Sequence, residues 1–319
     1  MNLKLFALLL LCGILTGKAH SQELNLFSYW YIEDNAIGFI SLSDVYALSE
    51  HPDSSAIPDI KKLSVDQSLS IALDGAYRQR FFRGTGISES DNVYIYNYAE
   101  NKLKTFKAKE LQVIALLDFY ASVEEWPFSQ YDYMIGFQID NSQLTDFKEN
   151  YYDVLVYIGN ENPFITGALE PITWDRAEAK DKTLLSTVPT DDSFFTDREI
   201  TDYTVGDTYT YESGGYTYYI QNLFDGNNEL FVRHLIVLNS ATKKLVCERL
   251  YDQWEGNGLT SLNIRGEENE YADYQWTGKL FNGMDPVIFG FQYFSFGCPY
   301  ITILNSNDEE VYIYCDNRH

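Results

Sequence analysis

The side chains able to carry chemistry are few and scattered. Beyond the N-terminal segment, histidine occurs at His51, His234 and His319 only, in no H-E-x-x-H or other paired spacing. The cysteines Cys247, Cys298 and Cys315 form no C-x-x-C pair, so a zinc site has no local support and no cofactor or metal ligand is expected. His51 precedes Pro52 in a loop-like stretch, His319 ends the sequence, and His234 falls in a strand-like run, where an ordinary strand role outweighs a catalytic one. Gly84-Thr85-Gly86 begins like a dinucleotide loop but lacks the third glycine. Gly86-Ile87-Ser88-Glu89-Ser90 has serine where a nucleophile elbow needs its last glycine. Asp225-Gly226-Asn227-Asn228-Glu229 offers calcium-type oxygens, yet Leu230 stands where an EF-hand loop needs glycine, and a tight hairpin turn is the better reading.

What remains in abundance is carboxylate and aromatic. The 319 residues hold 47 Asp+Glu against 23 Lys+Arg, a net charge of −24, and their 26 Tyr and 20 Phe together outnumber the basic residues. A surface this acidic repels phosphate backbones, which excludes a nucleic-acid binder. Glycoside hydrolysis needs only two carboxylates across a cleft and is not excluded by motif. The best neighbourhood is Asp252-Gln253-Trp254-Glu255, running into Gly256-Asn257-Gly258. An indole face there would stack on a pyranose while carboxylates accept from its hydroxyls, so Asp252, Trp254 and Glu255 are candidate ligand-binding residues. The competing view has Trp254 closing the end of a sheet core with the acids in solvent. No catalytic residue is assigned.

Other clusters have plainer uses. Tyr94, Tyr96 and Tyr98 share a strand face, as do Tyr312 and Tyr314, and such rows are more often half-buried sheet surface than ligand platforms. Lys102, Lys104, Lys107 and Lys109 resemble the lysines that guard an edge strand against pairing with another chain. Arg78, Arg80 and Arg83 around Phe81 and Phe82 suit structural pairing in so acidic a chain.

The elements that must position these groups are strands. Period-2 alternation marks 24–32 and 36–42, a hairpin at 92–98 and 102–107, and runs at 111–120, 132–139 and 152–158. A meander follows at 207–212, 216–223, 229–238 and 244–251, then strands near 271–281, 287–295, 299–304 and 310–315. Short helices are expected only within 43–74, as after the N-cap candidate Ser64, and near 143–151. The reading is a mainly β fold of antiparallel sheets with a C-terminal sandwich or barrel, or alternatively one large β fold such as an irregular propeller. Residues 22–180 form a mixed, β-rich domain, 181–202 a linker or long loop, and 203–319 an antiparallel domain. The windows Val93–Phe106, Leu235–Glu248 and Ile301–Tyr314 align without gaps on Asn97, Asn239 and Asn305, but their irregular spacing favours shared hairpin-turn chemistry over propeller blades.

Lys4, the apolar run Leu5–Leu15 and Ala19-His20-Ser21 read as a signal peptide, residues 1–21, too short to span a bilayer. Cys12 lies inside the apolar run behind Leu11, which disfavours lipoprotein processing there. The mature chain is expected in the periplasm or outside the cell, with no transmembrane anchor. Cys298 and Cys315 oppose each other for a disulfide if the last hairpin pairs residues whose numbers sum to 613. A register slipped by one would gather Ile301, Ile303, Val311 and Ile313 on one face and part the cysteines, and both registers remain open. Cys247 reads as a buried, inert thiol.

Three functions fit. The leading one is a non-catalytic binding or interaction module of the cell envelope, with a cationic protein or a glycan as partner. The others are a secreted two-carboxylate glycan hydrolase and an acidic inhibitor or immunity-type protein for a basic partner. Secretion of the full-length chain should give a product beginning at Gln22, which intact-mass analysis checks. A product that retains residues 1–21 would remove the export reading.

Overall fold

The computed structural model describes residues 24–32, 37–46, 56–147, 151–186, 203–268, 274–307 and 309–317. The proposed signal peptide, His51, His319 and most of the expected linker (187–202) lie outside them. The elements in chain order are β1 (Leu26–Ile32), β2 (Ile37–Ser41), α1 (Val65–Ser68), β3 (Ser70–Ala72), α2 (Ala76–Thr85), β4 (Asn92–Asn97), β5 (Lys102–Lys107), β6 (Gln112–Leu117), β7 (Tyr133–Asp140) and β8 (Val154–Gly159). There follow β9 (Leu169–Pro171), β10 (Asp175–Arg176), α3 (Ala179–Leu185), β11 (Tyr203–Ser213), β12 (Tyr216–Asp225), β13 (Leu230–Asn239) and β14 (Leu245–Asp252). The last are β15 (Asn257–Leu259), β16 (Trp276–Gly278), β17 (Val287–Phe289), β18 (Gln292–Phe294), β19 (Tyr300–Ile303) and β20 (Glu310–Tyr314). The protein is mainly β.

Thirteen strands form one branched sheet, whose longest path runs β3-β6-β7-β2-β1-β20-β19-β17-β16-β9, with β8, β4 and β5 joined to it through β1. The meander β11–β14, with β10 added, makes a five-stranded sheet, and β15 pairs with β18 alone. Strands from both ends of the chain therefore share one sheet. The first and last strands pair in parallel, Leu26 beside Ile313 and Phe27 beside Tyr314. Every other strand pair is antiparallel among the described residues, as the short hairpin connections require.

β1 is the branch point. Its first residues, Leu26 to Ser28, pair with Tyr157 to Leu155 of β8, while Leu26 and Phe27 also pair with β20. From Tyr29 to Ile32 the partner is β2. Two cores meet along this strand: Phe27 and Tyr29 belong to the N-terminal core around Phe81 and Phe137, and Leu26 to a second core with Ile301, Ile303 and Phe281. A third core, centred on Trp174, Leu235 and Phe291, lies between the five-stranded sheet and the C-terminal strands.

Two helices differ from the sequence reading. α1 starts where expected, with a capping box between Ser64 and Gln67. α2 carries the arginine cluster and lies beyond the expected helical stretch. Gly84 and the polar, charged make-up of this segment hide its helicity, and what fixes it is tertiary burial of Phe81 and Phe82, with Phe81 5.4 Å from the Phe137 ring. Arg78 of α2 donates to the carbonyls of Leu111 (2.8 Å), Lys109 and Ala108, so this arginine serves structure. α3 occupies the first part of the expected linker, and its Leu185 buries against Tyr219 and Ile236.

The last hairpin resolves the cysteine question in an unforeseen way. Its register pairs Tyr300 with Tyr312 and Ile301 with Val311, the slipped alternative, and the four aliphatic side chains are buried. The disulfide forms nonetheless, with Cα atoms 5.4 Å apart. Cys298 precedes Pro299 and lies outside the ladder, so strict alternation no longer governs where its side chain points. The three aligned windows are hairpins β4–β5, β13–β14 and β19–β20, and each uses its asparagine alike: Asn97, Asn239 and Asn305 Oδ1 accept from backbone N–H groups two or three residues on.

Gly136 of β7 is the closest approach in the N-terminal sheet, because a Cβ there would fall on the Ile40 carbonyl oxygen and within 2.8 Å of its carbon. Gly136→Ala should cost about 1–3 kcal/mol, seen as a lower urea midpoint. An unchanged midpoint would mean that β2 and β7 are not held this close.

Candidate functional site

Where β1 changes partner, the sheet opens into a cleft of about 600 Å3, within the roughly 300–1,000 Å3 typical of ligand pockets. Ser28, Tyr29 and Trp30 of β1 form one wall, with Val154 and Leu155 of β8 beside them. The lining continues with Gly290 and Phe291 after β17, Gln292 and Phe294 of β18, Tyr300 and Thr302 of β19, and Tyr251 of β14. Ile313 of β20 also lines it, as do Cys315, Asp316 and Asn317 beyond that strand. Eleven of the 26 lining residues are aromatic, two are aspartates, and none is Lys, Arg or His.

The aromatic groups fall into two tiers. Inside, Tyr251 stacks on Phe291 with ring centres 4.6 Å apart and planes 8° from parallel, while Tyr98 meets Trp276 at 5.2 Å and Phe289 at 5.3 Å edge-on. At the mouth, Phe119 is 53% exposed, Tyr120 76% and Tyr152 82%. These three come from connections: Phe119 and Tyr120 follow β6, and Tyr152 sits in the turn before β8. Phe119 leans on Trp30 at 5.5 Å. The Trp30 indole N–H is buried and has no acceptor among the described residues.

Burial sets the ionisation of the inner phenols. Tyr29, Tyr98 and Tyr251 are all raised by desolvation, helped at Tyr98 by the neighbouring Asp153 carboxylate. Burial also pushes Tyr300 up to about 12, with Glu310 adding to the shift and Arg249 opposing it. The phenols stay protonated and neutral while the fold persists, so the charge of the lining comes from its carboxylates. Asp118 Oδ1 accepts from the Tyr120 N–H at 2.9 Å, which shapes the rim turn. Asp316, at φ +60°, accepts from the Ser41 hydroxyl at 2.8 Å and donates its N–H to Asp44. The Cys298–Cys315 bridge fixes the segment that carries it.

The residues anticipated from sequence border this cleft without lining it. Asp252 accepts from the side chains of Gln292 and Asn257, and through Gln292 it supports the wall. Trp254 is 73% exposed and Glu255 is exposed, on the turn leading into β15, whose partner β18 does line the cleft. The structure therefore gathers Asp252 with Gln292 rather than Asp252, Trp254 and Glu255 around one point. Of the tyrosine row, Tyr94 and Tyr96 are core and only Tyr98 reaches the cleft. Sequence reading missed Trp30, Phe119, Tyr120, Tyr152, Tyr251 and Tyr300. One signal was available: Asp118-Phe119-Tyr120 and Tyr151-Tyr152-Asp153 put aromatics in polar turns, where burial does not call for them.

The remaining candidates have structural employment. His234 Nε2 lies 2.7 Å from Glu248 Oε1 across the β13–β14 ladder, and both are largely buried. Cys247 is buried and outside the disulfide. Asp225 Oδ1 accepts from the N–H groups of Asn227 and Glu229, so the calcium-like oxygens hold their own turn. β5, with its lysines, is an edge strand paired only to β4. Comparison of the chain with family models, with curated proteins and with solved structures finds no match.

A phenol whose folded pKa exceeds its unfolded value contributes stability below pH 10, and that contribution is lost as pH rises through the folded value. Stability should therefore fall between pH 10 and about 12 through Tyr300 among others. Tyr300→Phe should flatten the decline in urea midpoints measured from pH 8 upward. An identical slope would place this phenol in water.

Proposed function

We propose that the chain is an exported, non-catalytic binding protein that takes its ligand in the aromatic cleft between β1 and the β17–β19 region. The observation that supports this most is the exposure of Phe119, Tyr120 and Tyr152 at the mouth of a cavity already lined by aromatic residues. Large apolar side chains cost solubility when left in water and are enriched where binding covers them. The lining carboxylates point the same way, since Asp118 accepts from the Tyr120 backbone N–H and Asp316 from the Ser41 hydroxyl. The disulfide agrees with an oxidising compartment. Among the described residues, no helix is long and apolar enough to cross a membrane.

Ligand-observed NMR of the mature chain against a library of sugar, amine and aromatic fragments tests the reading. Hits should compete with one another for one site and lose their signal in a Phe119→Ala/Tyr152→Ala variant that keeps the parent's circular dichroism. Hits that ignore those substitutions would overturn it.

A further inference from the structure

Resting on that reading, we propose that the cleft takes an uncharged, largely apolar small molecule. The hydrogen bonds of its polar lining carry the choice. Gln292 donates to the Asp252 carbonyl at 2.7 Å and accepts from the Tyr300 hydroxyl. Asn317 Oδ1 accepts from the Gly297 N–H at 2.9 Å, and Cys315 is held in the disulfide. Asp118 and Asp316 accept from the Tyr120 N–H and the Ser41 hydroxyl. The larger polar side chains of the lining are thus engaged within the protein itself. A glycan entering here would exchange water for carbon around most of its hydroxyls, and a buried hydroxyl without a partner opposes binding.

Charge complementarity agrees. No lysine, arginine or histidine lines the cleft, so an anion finds no countercharge in its wall. The two lining carboxylates stand beyond strand ends, Asp118 after β6 and Asp316 after β20, and neither is buried. A cation held by them stays largely in water, where such pairing is weak and screened. The buried lining residues Met134, Leu155, Phe291 and Ile313 offer apolar surface alone.

The rings then supply the attraction that charge does not. Phe119, Tyr120 and Tyr152 keep faces in water on which a flat apolar molecule can stack. Contact of that kind takes carbon out of water on both partners, and it gains in proportion to the area covered. The cavity of about 600 Å3 accommodates a molecule of several fused or linked rings.

The test is fluorescence titration of the disulfide-intact mature chain with two dyes of one ring framework. N-phenyl-α-naphthylamine is uncharged, and anilinonaphthalene sulfonate adds a single negative charge to it. Cellohexaose is the competitor and is also titrated alone by calorimetry. The comparison is made in about 1 M salt, where the screening length is about 3 Å and repulsion from the acidic surface at large no longer decides it. The neutral dye should bind saturably and at least about tenfold more tightly than the sulfonate. Cellohexaose should not displace it. Phe119→Ala/Tyr152→Ala should weaken the neutral dye by at least about tenfold. Ser295→Lys puts a cation at an exposed lining position and should strengthen the sulfonate alone. Equal binding of the two dyes to the parent chain overturns the proposal. So does neutral-dye binding indifferent to Phe119→Ala/Tyr152→Ala, or sulfonate binding indifferent to Ser295→Lys. Cellohexaose binding that the double variant abolishes, with no dye binding, refutes the apolar occupant while leaving the binding cleft intact. Fragment hits scattered over the surface, together with no saturable dye binding, would sink both.

Discussion

Pairing along β1 is the constraint from which the rest of the architecture follows. A strand has two edges, and the first residues of this one use both, held between β8 and β20, before its later residues turn to β2. Three groups of strands with different directions must therefore diverge from a seven-residue segment. Sheets that twist apart from a common strand cannot remain in face-to-face contact, and the gap between them is the cleft. Large side chains fill only part of it. The aromatic-rich composition supplies the bulk needed to wall a wedge of this shape, because each such ring buries far more surface than an aliphatic side chain.

The same geometry explains why the polar parts of the wall are so tightly managed. Tyrosines bring the wall a hydroxyl as well as a ring, and burial keeps those hydroxyls protonated. Gln292 links them to the neighbouring sheet, donating to Asp252 and accepting from Tyr300 at 3.4 Å. At the other end of the cleft, the disulfide holds the C-terminal residues against the start of β19. Asp316 then ties them across to Ser41 and Asp44, on and just after β2. The cleft is thus bounded by covalent and hydrogen-bonded restraints between residues far apart in sequence, from Ser41 to Asp316.

Much of the strand content was legible because alternation is a local property. Hairpins such as β4–β5 and β13–β14 join strands close in sequence, and their asparagine turns announce themselves. Legibility ended where long-range burial decided the outcome. The run Ala76–Thr85 becomes helical because Phe81 and Phe82 need the Phe137 face, a residue more than fifty positions away. The parallel pairing of Leu26 with Ile313 has no local signature at all. Asp252, Trp254 and Glu255 were chosen by adjacency in sequence, which measures proximity along the chain. The cleft instead assembles Trp30, Phe119, Tyr152, Tyr251 and Tyr300 from five separate elements or connections. Alternation forbids a bridge between Cys298 and Cys315 in the observed register only while they lie in the ladder, and both lie just beyond it, Cys298 ahead of Pro299 and Cys315 after Tyr314.

Acidity and aromaticity, read separately, each have an ordinary explanation: net charge keeps a protein dispersed, and rings fill cores. Their joint placement is harder to explain in that way. A surplus of carboxylates serving dispersion alone would be indifferent to where the few basic residues stand, and exposed rings serving a core would not stand in water. Here Arg78 holds structure and the lysines of β5 lie on an edge strand, no basic side chain is among the cleft-lining residues, and Phe119, Tyr120 and Tyr152 stand exposed there. Under the proposed binding role the two placements have one explanation, since rings left in water at a cavity rim are the surface that a ligand would cover.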